Sequence, residues 1–450
     1  MQSTYLSRSL FGCTCISFIT AALFVGTLAL AGNAGAQEPT SSQRPVPESP
    51  AMAEHKAAPT SLRELMQEAE QKNPQIAASF HGWQAARYVP KQASALPETQ
   101  LSVQQFSVGS PRPFAGYTNS DFAYIGIGAS QEIPYPGKRG LRAQVGNREA
   151  DIRRADSASV QRDVVDKLKA AYFRLAYLQQ TLSILERNND LLNDVQQIAE
   201  SRYRVGKGNQ QEVLKAQLQH TKILQEITMH HRDVGQLQAQ LKQLLNRPQD
   251  SPNIQTEPLA ARPLTYSAAD LLKLVQEQNP NVQVRQATLT KTQAEVDLAK
   301  KEFRPDFNLQ YMYENTDRKF RDYYVFTIGI NLPNRGRRKA ELAQAEANRE
   351  QANKQLEAEL QQRLAEVQEQ FVAAQAADEQ LKIYNDGLVP QSEATFRAAL
   401  AAYQANRQDF ETLLSSFFDV LKLQLDYQNE LAEHETALAR LETLTGVSFQ

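Results

Sequence analysis

Six histidines, His55, His81, His220, His230, His231 and His434, are the side chains best suited to metal or proton-transfer chemistry. None has ligand spacing with a second histidine or a cysteine. His230 and His231 are adjacent on a stretch with heptad periodicity, where neighbours face different directions. There is no P-loop, GxGxxG, HExxH or nucleophile elbow, so an enzyme reading has no positive support and no cofactor or metal is expected. The remaining candidates are cations. Lys138, Arg139 and Arg142, then Arg335, Arg337, Arg338 and Lys339, open two long stretches of helical pattern. Two readings stand for these groups, contact with anionic lipid headgroups and ordinary solvation.

The composition narrows what such residues can serve. Of 450 residues 41% are apolar and 22% charged, which excludes a polytopic helical membrane protein and argues against wholesale disorder. Lysines and arginines number 49 against 51 acids, with no long block of one sign, so a nucleic-acid surface is not expected. Residues 1–36 carry Arg8 as their only charge, an apolar stretch from about Ile16 to Leu30, and Ala34-Gly35-Ala36 as a cleavage site, which reads as a secretory signal. Cys13 and Cys15, the only cysteines, leave with it. Lipidation is not expected, because Cys13 precedes the apolar core instead of following it. Residues 37–60 form a Pro/Ser-rich lead-in.

The rest of the chain repeats itself. Lys72-Asn73-Pro74 returns as Gln278-Asn279-Pro280, Ile133-Pro-Tyr-Pro-Gly137 as Leu332-Pro-Asn-Arg-Gly336, and Tyr203 to Gly206 as Tyr403 to Asn406, at offsets of about 200 residues. The repeats span residues 61–246 and 267–447, joined by a proline-rich linker at 247–266. Each has a short helix up to its Asn-Pro pair and a second helix, expected over Pro74 to about Ala95 and Pro280 to about Glu302. Two strand-like segments follow. Phe307 to Tyr313 and Tyr324 to Leu332 alternate with period two and carry aromatic ends; Ala123 to Ala129 alternates too, and Leu101 to Val108 slips phase as a bulge would make it. Alone, each segment also fits a half-buried strand of a soluble sheet. Then comes a helix without proline from Arg139 to Val205, with Val164, Leu168, Ala171, Leu175, Leu178, Leu182, Leu185, Leu192, Val195 and Ala199 as a coiled-coil seam. A return helix is expected with Leu214, Leu218, Leu224, Ile227, Val234, Leu237, Leu241 and Leu244 on its seam. The second repeat has the same hairpin, with a kink expected at Pro390.

Four strands cannot close a membrane barrel alone, because an open edge in lipid leaves backbone groups unpaired. If the strands meet lipid, the chain must oligomerise: a dimer gives a solid eight-stranded barrel, a trimer a twelve-stranded one with a lumen. This grammar of helix, helix, strand, strand and long hairpin, stated twice, resembles the TolC-like outer-membrane efflux proteins from Leu62 to Val447. Gln131-Glu-Ile-Pro-Tyr-Pro-Gly-Lys-Arg-Gly-Leu-Arg142 is similar to the strand-to-helix turn of members serving heavy-metal pumps of the resistance-nodulation-division class. The resemblance implies a mainly α fold with a small β part: duplicated long coiled-coil hairpins, plus four strands given to a trimeric twelve-stranded outer-membrane barrel. It further implies a periplasmic tunnel whose tip docks an adaptor and an inner-membrane pump, exporting small solutes such as metal ions or drugs. The alternative is a soluble periplasmic coiled-coil adaptor or scaffold, which needs no strands of bilayer length.

The resemblance assigns the first docking tip to Arg202, Tyr203, Arg204, Gly206 and Gly208, and the second to Tyr403, Asn406 and Arg407. Gly206 and Gly208 are expected to supply the positive φ of the reversal. Asp409 and Glu411 are the acids that the resemblance makes candidates for a ring narrowing the entrance; as residues of a helix start they equally suit its dipole.

Overall fold

The computed structural model describes residues 59–107, 123–316 and 322–449. The expected signal segment and nearly all of the lead-in lie outside the described residues. Helix α1 (Leu62–Lys72) starts where Ser61 Oγ accepts the Glu64 N–H, and it buries Leu65 and Ala69. Asn73 ends it and caps α2 (Pro74–Ala86), its Oδ1 accepting from Gln75 N at 2.8 Å while its amide donates to the Leu244 carbonyl, also at 2.8 Å. Asn279 does the same between α6 (Ala268–Gln278) and α7 (Pro280–Lys301), donating to the Leu444 carbonyl at 2.9 Å. Each Asn-Pro pair is thus a helix cap and a tie to the far end of its own hairpin.

The expected second helix of the first repeat divides into α2 and α3 (Val89–Ala93). Pro90 has no N–H for the Ala86 carbonyl, and Gly146 lets another helix close on the break: a Cβ there would lie 3.0 Å from Pro90 Cα. Helix α7 lacks such a proline and runs unbroken.

Strands β1 (Gln100–Phe106), β2 (Tyr124–Ile133), β3 (Asp306–Asn315) and β4 (Asp322–Asn331) form one antiparallel sheet in chain order. The bulge expected in β1 is absent over its described length, since Gln100 to Phe106 pairs without a slip against Ser130 to Tyr124. The break in alternation is chemical: Gln105 takes an apolar position, and Phe106 on the other face stacks on Tyr124 at 5.8 Å. Gly126 and Gly128 make room for Met312, whose side chain lies 3.0 to 3.2 Å from where their Cβ atoms would stand.

The first hairpin is α4 (Lys138–Arg204), 67 residues or roughly 100 Å of helix, and α5 (Gln210–Leu244). The α4 seam is buried from Val164 to Ala199 as the heptads require. In α5 the expected seam is wrong over its first half. Ala216 and Ile223 are buried, whereas Leu214, Leu218 and Leu224 are exposed, because the smaller row packs on α4 and the leucines form a second apolar row facing outward. The second hairpin is α8 (Arg335–Ile383), a π-helical turn over Tyr384–Leu388, α9 (Val389–Gln404) and α10 (Phe410–Thr445). The π turn immediately precedes Pro390, which stands in the first turn of α9.

Residues 247–266 run as a strap. Gln238 donates to the Ile254 carbonyl and accepts its N–H, Lys242 Nζ donates to the Gln249 and Ser251 carbonyls, and Arg262 pairs with Glu435 and Glu442 of α10. These ion pairs are buried on the α10 side, with Lys169 of α4 also on Glu442.

Candidate functional site

Cross-strand pairing assigns every sheet residue to a face. Leu101 and Val103 stand opposite Ala129 and Ile127; these meet Tyr311 and Tyr313, which meet Phe326 and Tyr324. Leu309–Ile328 and Phe307–Ile330 extend the same row. This face is apolar across all four strands, and Leu101, Val103, Ile127, Tyr324, Phe326, Ile328 and Ile330 are 58–81% exposed. Folding of one chain leaves uncovered an apolar area that water does not tolerate. The opposite face carries Ser102, Gln104, Ser130, Glu132, Asn308, Gln310, Glu314, Thr327 and Asn331, with Phe106, Tyr124, Met312, Tyr323 and Val325 among them. Strands of ten residues with one apolar face and aromatic ends have the length and pattern for crossing a bilayer. Among the described residues the sheet's outer strands, β1 and β4, each have one unpaired edge. Among the described residues no helix is long and apolar enough to cross a membrane.

At the sheet end of α4 the structure corrects the headgroup reading for Lys138. Its side chain is fully buried, donating to the Arg304 carbonyl at 2.8 Å and Asp306 at 2.9 Å and pairing with Glu302 at 3.0 Å. A lysine is buried only where acids and carbonyls replace its water, and these three come from the other repeat. Arg142 also pairs with Glu302, and Arg338 with Glu302 and Glu341. Arg139 donates to the Ser94 carbonyl, Arg337 pairs with Glu341 one turn on, and both are exposed, as is Arg335.

The two tips share a backbone. Gly206 (φ 72°) and Asn406 (φ 58°) take the left-handed conformation at equivalent positions, followed by the caps Asn209 and Asp409. Gly208 does not have positive φ. It permits close approach instead, since a Cβ would lie 3.3 Å from Arg202 Cβ and Tyr203 N. Arg202 lies 4.3 Å over the Tyr403 ring and donates to the Tyr403 carbonyl, to Asn406 Oδ1 at 2.6 Å and to the Lys207 carbonyl at 3.2 Å. The buried Tyr403 hydroxyl donates to Glu212 at 2.7 Å; burial first, and then the Glu212 carboxylate, raise its pKa above the ordinary tyrosine range. Tyr203, Arg204 and Arg407 are exposed, with Arg204 donating to Ser201 Oγ. Asp409 Oδ1 accepts the Thr412 N–H at 2.7 Å, and Glu411 pairs with Lys215 of α5. Arg202, Tyr403 and Asn406 are therefore brought together across the two hairpins. Glu212 and Lys215, which complete this contact, carry no local sequence signal, because their partners lie almost 200 residues away.

Among the described residues no three His, Cys, Asp or Glu side chains gather in a group able to hold a metal. What the fold presents is a sheet open at both edges and apolar on one face, fastened to paired antiparallel hairpins, which is the protomer of a channel-forming assembly. A family profile described as outer membrane efflux protein matches residues 65–247 and 271–446, and the chain belongs to that family, whose members are channels and not enzymes. It is 25% identical over 325 residues to the pyoverdine export outer membrane protein OpmQ of Pseudomonas putida, an alignment covering 70% of this chain and 66% of the relative. Among solved structures it is similar to the outer membrane protein VceC of Vibrio cholerae, with a TM-score of 0.73 and 19% identity over 86% of this chain and 97% of that one. It is similar too to the CmeC outer membrane channel of Campylobacter jejuni, with a TM-score of 0.74 and 14% identity over 86% of each chain.

Proposed function

We propose that the chain is one protomer of a trimeric outer-membrane efflux conduit, passive in itself, which receives small solutes from a periplasmic adaptor and an inner-membrane pump. The observation that carries this is the exposed, predominantly apolar sheet face shared by β1 to β4, with both edges open. Lipid covers such a face, and further copies pair such edges. Three copies give twelve strands and a lumen, where two would give a filled barrel. The helices agree with the strands. α5 leaves Leu214, Leu218, Leu224 and Met229 exposed, and α8 and the π turn leave Val372, Ile383 and Leu388 exposed, so the helical layer also has uncovered apolar side chains.

In this reading residues 1–36 are the signal, 61–246 and 267–447 the two repeats, and 247–266 the linker between them. Arg202, Tyr203, Arg204, Gly206, Gly208, Tyr403, Asn406 and Arg407 form the adaptor-docking tip, and Asp409 with Glu411 the acidic entrance. Arg139, Arg335 and Lys339, exposed at the sheet end, are the cations left for headgroups. The Gln131–Arg142 segment supports a pump of the resistance-nodulation-division class and a metal ion among the cargo. The test is the native mass of the detergent-extracted protein together with planar-bilayer conductance. A trimer with a conducting pore is expected; a monomeric, detergent-independent protein overturns the reading in favour of the soluble scaffold.

A further inference from the structure

The joint between sheet and hairpin occurs twice in the sequence, and only one copy of it is complete within the chain. Lys138, the first residue of α4, reaches across to the other repeat and holds the Arg304 carbonyl and the carboxylates of Glu302 and Asp306. Arg139 beside it stays in its own repeat, on the Ser94 carbonyl at 2.6 Å. Gly137 corresponds to Gly336, so Lys138 and Arg139 correspond to Arg337 and Arg338, 199 positions on. Pro97 corresponds to Pro305, so Ser94 and Glu98 correspond to Glu302 and Asp306, 208 positions on. The two positions come together in both repeats, although through different atoms: Arg139 donates to the Ser94 main-chain carbonyl, whereas Arg338 pairs with the Glu302 carboxylate at 3.5 Å, from a helix that starts at Arg335 and not after the glycine.

The image of the Lys138 joint would be Arg337 on Glu98. Within one chain these belong to opposite edges of the sheet, Arg337 after β4 and Glu98 before β1, with β2 and β3 between. Arg337 is three-quarters exposed and, among the described residues, is held only by Glu341 of its own helix. Glu98 is exposed and makes no ion pair among the described residues. We propose that a second copy of this chain completes the joint: Arg337 of one protomer takes Glu98 of the next, and β4 pairs antiparallel with the next protomer's β1 in the register that β2 already makes with β3.

That register is specific. Moving the pairs Ala129–Tyr311 and Gln131–Leu309 by the two offsets places Ile328 opposite Val103 and Ile330 opposite Leu101. All four belong to the apolar face, which the transfer did not assume. A shift of one residue in either offset would set Ile328 against Ser102 or Gln104 of the polar face, so the parity checks the correspondence independently. The joint differs from its template in having one carboxylate, since Ser94 stands where the second repeat has Glu302.

The inference rests on the trimeric reading above and is tested in the full chain in outer membranes. Val103→Cys combined with Ile328→Cys should give chain-to-chain disulfides on oxidation, seen as dimer and trimer bands, well above those of the pair Val103→Cys with Phe326→Cys. Arg337→Glu alone and Glu98→Arg alone should each lose the trimer that survives mild heating in detergent, and the two combined should regain it. Preferential cross-linking of the shifted pair overturns the register. Failure of the double swap to regain the trimer overturns the ion pair and leaves Arg337 to lipid headgroups. An unsubstituted chain that stays monomeric defeats the trimeric reading itself, a result distinct from either.

Discussion

Asp409 accepts the Thr412 N–H, and that hydrogen bond holds its carboxyl below the usual carboxylate range, so it is charged at neutral pH. It is both a helix cap and an exposed charge. Asparagine caps about as well as aspartate, so Asp409→Asn removes the charge and leaves the helix start intact. If three copies face one another at the entrance, this substitution should lower cation selectivity and block by multivalent cations in planar bilayers, with thermal stability unchanged. Glu411→Gln should do less, because Lys215 already offsets that charge. Unchanged selectivity in the Asp409 variant would confine the residue to capping. How legible such residues are depends on where their partners lie. A cation at a helix start reads as solvated, and nothing near Lys138 in the chain announces Glu302 and Asp306 more than 160 residues on. Glu212 was invisible for the same reason, whereas Tyr403 and Asn406 occupy repeated positions and could be found from them, and Arg202 stands beside the first copy of that repeat.

The two tips make a comparison of turn chemistry within one molecule. Gly206 and Asn406 share the left-handed backbone, which asparagine tolerates and a β-branched residue does not. Gly206→Val should therefore destabilise the first hairpin by about 1–3 kcal/mol, measured as a lower melting midpoint, while Gly206→Asn should be close to neutral. Equal melting of the two variants would show that the turn does not hold this conformation in solution. The linker offers a test by pH. Arg247, by its hydrogen bond, holds the Glu68 carboxyl below its ordinary range. Burial would raise Glu435, but His434 and Arg262 outweigh it and the net shift is also downward. Carboxyls depressed by folding stabilise the folded state above their unfolded pKa, and that stabilisation is lost as pH falls through the folded value. Pepsin cleavage within 247–266 should rise below about pH 4, and Arg262→Ala should move the onset to higher pH. An onset that ignores the substitution would separate the strap from these ion pairs. Among the elements, α4 was legible from Val164 to Ala199 because one heptad row runs through that stretch; the first half of α5 was not, because two apolar rows compete and only packing on α4 chooses between them.

For the whole molecule, the alternation in β3 and β4 showed that each strand has an apolar face, but only the pairing shows that the four faces coincide. Register is a property of partners, so β1, with Gln105 in an apolar row, misled when read alone and became regular once paired with β2. The coincidence matters because the cost of a misplaced charge is set by the medium on each side. Ile328 and Thr327 are neighbours in β4 and point to opposite faces, the first to the apolar row with Leu309, the second to the polar side with Gln310. Ile328→Arg puts a guanidinium on the face assigned to lipid, at a cost of about 2 to 4 kcal/mol near mid-bilayer, and a trimer bears it three times. Thr327→Arg puts the same group on the face assigned to the lumen, where water reaches it. The first variant should lose the assembled trimer from outer membranes. The second should assemble as the unsubstituted chain does and shift the pore toward anions in bilayer recordings. Because size and charge are the same in both, a difference in assembly reports facing alone. Equal assembly of the two would mean that lipid does not cover the Leu101–Ile330 face, and a barrel built on it would have to be given up.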